Sequence, residues 1–201
     1  MNKILQSAIA KRVVSQPKRY QLMLVAATTA MLIIPNVTVS AFEPEDLEQV
    51  KTSRVCNEDC DLSNADLQEV YLVKVNLENA DLQGANLKEV NLQDALLEKA
   101  DLGQSNLVGA YLRGATLQEA DLSGARLTRA DLKDTIFNQA NLQGTYLMSA
   151  NNLTPTQIKS GCNWEEAIYD KNEAANQAFI SELQQNTDSN PAEAVDCSMW
   201  E

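Results

Sequence analysis

Residues 60–149 read CDLSN-ADLQE-VYLVK-VNLEN-ADLQG-ANLKE-VNLQD-ALLEK-ADLGQ-SNLVG-AYLRG-ATLQE-ADLSG-ARLTR-ADLKD-TIFNQ-ANLQG-TYLMS, eighteen pentapeptides in unbroken phase. The third position is Leu in seventeen, from Leu62 to Leu147, and Phe137 in the other. The first position is small or β-branched: Ala in eleven copies, Val70, Val75, Val90, Thr135, Thr145, Ser105 and Cys60 in the rest. Asp or Asn fills the second position in eleven of the eighteen. An internal period of this regularity governs the reading of the whole chain.

A period of five suits neither regular element. Five residues of α-helix advance by about 500°, so successive leucines would lie about 140° apart and smear over every side. On a straight strand an odd repeat sends alternate leucines to opposite faces. Both conflicts vanish if the chain turns a corner every five residues. Positions one and three then point inward, position two points outward, and positions four and five make the corner. Gly84, Gly109, Gly114, Gly124 and Gly144 occupy fifth positions, where freedom to adopt positive φ is useful. No proline interrupts the run, so no ladder donor is missing. The pattern predicts an all-β solenoid.

These A(D/N)LXX copies resemble the pentapeptide-repeat family. The resemblance implies a right-handed quadrilateral β-helix, with four pentapeptides per coil and the central Leu and preceding small residue filling the interior. Eighteen copies make about 4.5 coils, a rod on the order of 22 Å long at the usual strand spacing. Leu153 to Ala167 also resembles a stretch that follows the repeats in cyanobacterial and chloroplast members. The likeness is specific for fold and uninformative for function, because one architecture serves many roles.

The start of the chain is different. Residues 1–41 hold five basic residues and no acidic one, with an apolar stretch from Leu22 to Ile34 and small residues before position 42. This order predicts a secretory signal peptide cleaved after Ala41 by the general secretory route. This thirteen-residue stretch falls short of the ~20 residues that span a bilayer, so no stable membrane insertion is expected after cleavage. The remaining chain has 11 basic and 28 acidic residues, a formal charge of −17. Nucleic acid and anionic membranes are poor partners for that excess.

Both ends of the run need closing, since a terminal coil exposes unpaired backbone and hydrophobic cross-section. Residues 42–59 are expected to form an N-terminal helical cap, with Leu47, Val50 and Val55 on its apolar side. Residues 150–185 are expected to form a helical C-terminal cap, followed by an acidic tail, 186–201. Within the cap, Thr154, Pro155 and Gln157 read as a capping box opening a short helix that Gly161 ends. Asn163 to Tyr169 reads as a brief helix or turn, and Glu173 to Gln185 as a longer helix. With both ends closed the expected state is a monomer.

Four cysteines allow three pairings, and export makes disulfides possible. Because the rod separates its ends, the pairing expected is Cys56–Cys60 and Cys162–Cys197. The chain has no histidine, which removes the commonest general base and metal ligand together. It carries no glycine-rich phosphate loop or nucleophile elbow. No enzyme activity and no cofactor are expected; an acid–base enzyme would rest on carboxylates alone.

Four pentapeptides per coil would stack residues twenty apart. Asp61, Asp81, Asp101 and Asp121 then form a column of carboxylates with backbones about 5 Å apart. Two charges at that distance repel by roughly 3 kcal/mol at an effective dielectric near 20, and by under 1 kcal/mol in bulk water. The column is a weak candidate for a divalent cation, its side chains being more simply used to accept corner N–H groups. Tyr71, Leu96, Tyr111 and Ile136 break the polar pattern of the outward position and are candidates for a partner surface. The function expected is a non-catalytic protein-binding or scaffold module in the thylakoid lumen or the periplasm, its partner unidentified. The family resemblance also implies a rival, a DNA mimic that occupies a topoisomerase, which export and a repeat charge of only −6 disfavour.

The coil period has a direct test. Five residues inserted after Gly124 rotate everything beyond by one face, whereas twenty in-phase residues add one coil and keep every column. The longer insertion should melt at the higher temperature; equal melting, or a milder effect of the shorter one, excludes four pentapeptides per coil.

Overall fold

The computed structural model describes residues 44–56, 60–169, 179–183 and 195–200. The expected signal peptide and its cleavage after Ala41 lie outside the described residues, as do most of the helix expected from Glu173 and most of the acidic tail.

Each pentapeptide contributes one parallel β-bridge through its second residue, and eighteen bridges run from Val55 to Ile168. Fifteen of them join residues twenty apart, as in Asp61–Asp81 and Arg126–Tyr146, so one coil holds four pentapeptides. We number the faces in chain order, starting with face 1 at Asp61, Asp81, Asp101, Asp121 and Asn141. Face 2 follows at Asp66, face 3 at Tyr71 and face 4 at Asn76. Among the described residues no extended strand forms, because each flat side is only two or three residues long before the chain turns.

Three backbone bonds tie each pentapeptide to its neighbours. Leu82 donates to the Asp101 carbonyl (2.7 Å), Gly84 to the Gly103 carbonyl (2.8 Å) and Asp101 to the Ala80 carbonyl (3.0 Å). A fourth closes the corner: the first residue of each copy donates to the third residue of the copy before, as in Ala85 to Leu82 (3.0 Å). The fifth residue has positive φ in all eighteen copies, five glycines and thirteen other residues. A β-turn with positive φ at its third residue alone is of type II.

Inside, the leucines from Leu62 to Leu147 and Phe137 are buried, most with no exposed surface. Burying each contributes about 1.5–3 kcal/mol. Thr135 and Thr145, polar residues at buried first positions, donate to the carbonyls of Leu112 (2.9 Å) and Leu122 (2.8 Å). Ser105 is the buried hydroxyl left without a partner among the described residues.

Side chains and flanking segments take over the ladder at each end. Helix α1, Pro44–Ser53, buries Val50 fully and Leu47 in part. Val55 is not on its apolar side as expected; it lies past the helix, 42% exposed, bridged to Asn76. The Asp46 carboxylate accepts the Asp61 N–H (2.9 Å), replacing the carbonyl of an absent earlier coil. Arg54 donates its guanidinium to the carbonyls of Tyr71 (2.8 Å) and Val73 (3.4 Å), the open acceptors of face 3.

At the other end the chain keeps pairing beyond the repeats. Asn151, Cys162 and Ile168 bridge to Asp131, Asn141 and Tyr146, making a further irregular coil where a mainly helical cap is expected. Helix α2, Pro155–Lys159, stands in for the missing fourth side, with Thr154 and Gln157 forming the capping box. Gln157 also sends its amide to the carbonyls of Leu132 and Thr135, both at 2.9 Å. Gly161 does not end the helix, which closes at Ser160. It is needed because a Cβ there would lie 2.6 Å from Leu142 Cδ1 and 3.2 Å from the Ala140 carbonyl. Trp164–Glu166 forms a 3₁₀ turn, and residues 179–183 are helical, with Leu183 buried and Phe179 packed 5.8 Å from Tyr169.

The corner geometry generates two substitutions of opposite sign on one column. Gln104, at φ 57°, is exposed, so Gln104→Gly relieves a left-handed residue and should stabilise by about 0.5–1 kcal/mol. Gly124, one coil below at φ 66°, has its nearest Cβ contact at 3.6 Å, leaving backbone strain as the cost of Gly124→Ala, about 1 kcal/mol. Urea-denaturation midpoints should move up for the first and down for the second; shifts of the same sign would exclude the assigned turn.

Candidate functional site

The outward second position has a structural use before any functional one. Three of the five N–H groups in a pentapeptide bind neighbouring coils and one closes the turn, which leaves the fourth. Wherever the second residue is Asp or Asn, its Oδ1 accepts that N–H, as Asp81 does from Gln83 (2.9 Å) and Asp101 from Gly103 (2.9 Å). All eleven such residues do so, at 2.9–3.5 Å. Each bond contributes about 1 kcal/mol.

The carboxylate column on face 1 is therefore a column of corner caps. Asp61, Asp81, Asp101 and Asp121 are bridged in series, and each points one oxygen at the N–H two residues on. Asn141 ends the column by donating its amide to Asp121 (3.0 Å), and Asn163 donates to Asn141 (2.9 Å). On face 2 the same arrangement runs from Asn106 through Asn86 to Asp66. No Lys or Arg pairs with the face 1 column among the described residues. Nor do three or more acidic or sulfur side chains there converge as a metal site would. Burial, and then the Asp121 and Asp81 charges on either side, push the Asp101 carboxyl above its usual value of 3.8, against the lowering effect of the Gly103 N–H.

Seven copies lack Asp or Asn at the second position: Tyr71, Leu96, Tyr111, Thr116, Arg126, Ile136 and Tyr146. None lies on face 1. Tyr71 (62% exposed), Tyr111 (48%), Leu96 (42%) and Ile136 (43%) all stand in solvent, the tyrosines on face 3 and the aliphatic pair on face 4. Thr116 bridges both Leu96 and Ile136, so it separates them by two coil heights, and Asn91 separates the tyrosines likewise. Arg54 lies 5.5 Å over the Tyr71 ring, which makes that tyrosine partly a cap residue. Tyr146 (38% exposed) and Arg126, both on face 2, belong to the same displayed set and were not among the sequence candidates. Their signal was present, since each also departs from Asp or Asn at the second position.

The four cysteines are paired as Cys56–Cys60 and Cys162–Cys197, with Cα separations of 5.6 and 5.7 Å. The second ties residues 195–200 to the last coil, where Gln139 donates to the Asp196 carbonyl (3.0 Å) and Trp200 Nε1 to the Gln139 carbonyl (2.8 Å).

Four-residue corners, inward leucines and twenty-residue pairing define a four-sided solenoid. Residues 60–98, 95–134 and 125–151 match the family model described as pentapeptide repeats. The segment 60–151 is thus built of pentapeptide repeats, and proteins of that family fold as right-handed quadrilateral β-helices. It is similar to the crystal structure of the pentapeptide repeat protein Rfr23 from the cyanobacterium Cyanothece 51142, with 26% identity over 64% of this chain and 95% of that one and a TM-score of 0.52. A pentapeptide repeat protein of the Arabidopsis thaliana thylakoid lumen is 29% identical over 49% of this chain and 71% of its own, with a TM-score of 0.32. QnrB1, a plasmid-mediated fluoroquinolone resistance protein, is 19% identical over 63% and 64%, also with a TM-score of 0.32. No curated protein matches the chain.

The raised Asp101 carboxyl sets a pH dependence. Such a group binds its proton more readily in the folded chain than in the unfolded one, so its charge opposes folding at neutral pH and that opposition fades as pH falls through the folded value. Asp101→Asn keeps the oxygen that caps Gly103 and removes the charge. It should melt higher than the unsubstituted protein at pH 7.5, with the gap closing at pH 4; an unchanged gap would exclude the electrostatic origin.

Proposed function

We propose that the chain is a non-catalytic protein-binding or scaffold module of an exported compartment. One observation carries the binding half of the reading. At seven outward positions the chain gives up an Asx bond that the other eleven copies make, and at six of them it places a large side chain in solvent. Stability forgone repeatedly on faces 2, 3 and 4, and never on face 1, is what selection for a contact surface produces. Tyrosine and arginine are also the residues most concentrated at the energetic centres of interfaces. Export is supported by the N-terminal sequence pattern and by the pairing of all four cysteines.

The combined variant Tyr71→Asn/Leu96→Asn/Tyr111→Asn/Ile136→Asn tests the trade directly. Restored corner bonds should raise its melting temperature while chemical crosslinking in its own host loses the partner band that the unsubstituted protein gives. Retention of that band would remove the displayed residues from the interface, and its absence from both proteins would remove the binding reading. Fractionation that leaves the protein in the cytosol would overturn export.

A further inference from the structure

All three arginines of the repeats, Arg113, Arg126 and Arg129, lie with Lys133 on faces 2 and 3 in the third and fourth coils. All four side chains are exposed, and none forms an ion pair among the described residues. Lys99, by contrast, pairs with Glu98 (4.0 Å) and Glu119 (3.5 Å), and Lys88 with Glu89 (3.5 Å). Asp94 donates its N–H to the Arg113 carbonyl (2.9 Å) at the corner between faces 3 and 4, while the two carboxylates that line the groove with Arg129 are already engaged. Glu89 has Lys88, and Asp131 accepts both the Lys133 N–H (3.2 Å) and the Asn152 amide (2.8 Å). Asp134 is at the corner between faces 3 and 4, where Arg113 and Lys133 also lie.

Two exposed tyrosines stand among these cations. Arg126 is bridged to Tyr146, and Tyr111 to Asp131. Along the corner between faces 2 and 3 runs an open groove of about 500 Å³ lined by Glu89, Gly109, Tyr111, Arg129, Asp131 and Asn152 among others. Gly109, at a fifth position between Glu89 and Arg129 in the corner column, has no side chain to fill the notch. In a chain whose residues after Ala41 carry −17, four unpaired cations grouped around two tyrosines are a local reversal of sign.

We propose that this patch binds an acidic segment of a partner protein, with Tyr111 and Tyr146 as aromatic anchors and Arg113, Arg126 and Arg129 pairing with its carboxylates. The assignment rests on the protein-binding reading above and names the face and the partner's chemistry. Guanidinium groups suit the task because their fork meets a carboxylate through two parallel hydrogen bonds. A narrow segment fits better than a broad anionic surface. Asp66 and Glu69 stand on the upper part of face 2, and the Asp column fills the neighbouring face 1, so a membrane or duplex would be repelled on either side.

The test places a photo-crosslinking benzoylphenylalanine at position 111, and in separate proteins at 96 and at 83, in the full chain expressed in its own host. Crosslinked partner peptides are then sequenced by mass spectrometry. Position 111 should capture a peptide with several Asp or Glu residues, and position 83 on face 1 should not. Arg113→Glu/Arg126→Glu/Arg129→Glu should cut the yield at 111 at least tenfold, and the milder Arg→Gln triple should cut it less, with melting temperatures confirming that both fold. A non-acidic peptide at 111, a lipid or nucleotide adduct there, or a yield indifferent to charge reversal overturns the proposal. Capture at 96 alone overturns it too while leaving the protein-binding reading intact, and capture at no position overturns both.

Discussion

The constraint on which the rest depends is a corner every five residues with positive φ at its third turn position. It is met eighteen times in succession, at thirteen of them by residues that carry a Cβ. Left-handed backbone costs an ordinary residue roughly 1–2 kcal/mol. No local preference could sustain that cost thirteen times over. The burial of a leucine, or of Phe137, in every copy, and the inter-coil hydrogen bonds with it, make the turn the better choice. The coil is thus held by its core and ladder against its own corners, which is why the inward positions tolerate so little variety.

The same corner explains the outward positions. A type II turn leaves the fourth N–H of each copy unused by the ladder, and an Asp or Asn two residues earlier is the right length to accept it. Asp and Asn at the second position are thereby structural, and the stacked carboxylates of face 1 are a by-product of one good cap repeated at a twenty-residue period. The cost of that by-product is visible at Asp101, whose carboxyl is pushed upward by burial and by its two stacked neighbours. On face 2 the chain avoids it by alternating the cap: Asn86 and Asn106 each donate to the residue above, and the column becomes an amide ladder.

Much of this was legible in the sequence because the signal is periodic. Leu at every fifth position admits few geometries, and the inward and outward assignment follows from one decision about the corner. The capping box at Thr154 and Gln157 was readable for a similar reason, since it depends on residues three apart. What was hidden depended on contacts between distant parts. Gln157 also serves two carbonyls of the coil above, and Gly161 is required by Leu142 rather than by the helix before it. Val55 carries a helix-compatible spacing but pairs with Asn76, because an open ladder edge competes with the helix for that segment. The arginine patch was hidden for another reason. Arg113, Arg126 and Arg129 occupy a fourth, a second and a fifth position, and only the coil brings these three registers onto two adjacent faces.

The ends of the solenoid determine where recognition can happen. A bare terminal coil would offer a row of donors and acceptors to any other chain, including another copy of itself. Here the first coil gives an N–H of face 1 to the Asp46 carboxylate and two carbonyls of face 3 to the Arg54 guanidinium. The last coil gives the Leu132 and Thr135 carbonyls, where face 3 turns into face 4, to the Gln157 amide, and its first and second sides to the segments at Cys162 and Ile168. Asp46, Arg54 and Gln157 close their sides with side chains that lie outside the twenty-residue repeat and template no further coil. On the protein-binding reading proposed above, specificity is then written on the faces. The corner rule leaves the second position as the place where it can be written at least cost, one Asx bond for each side chain displayed.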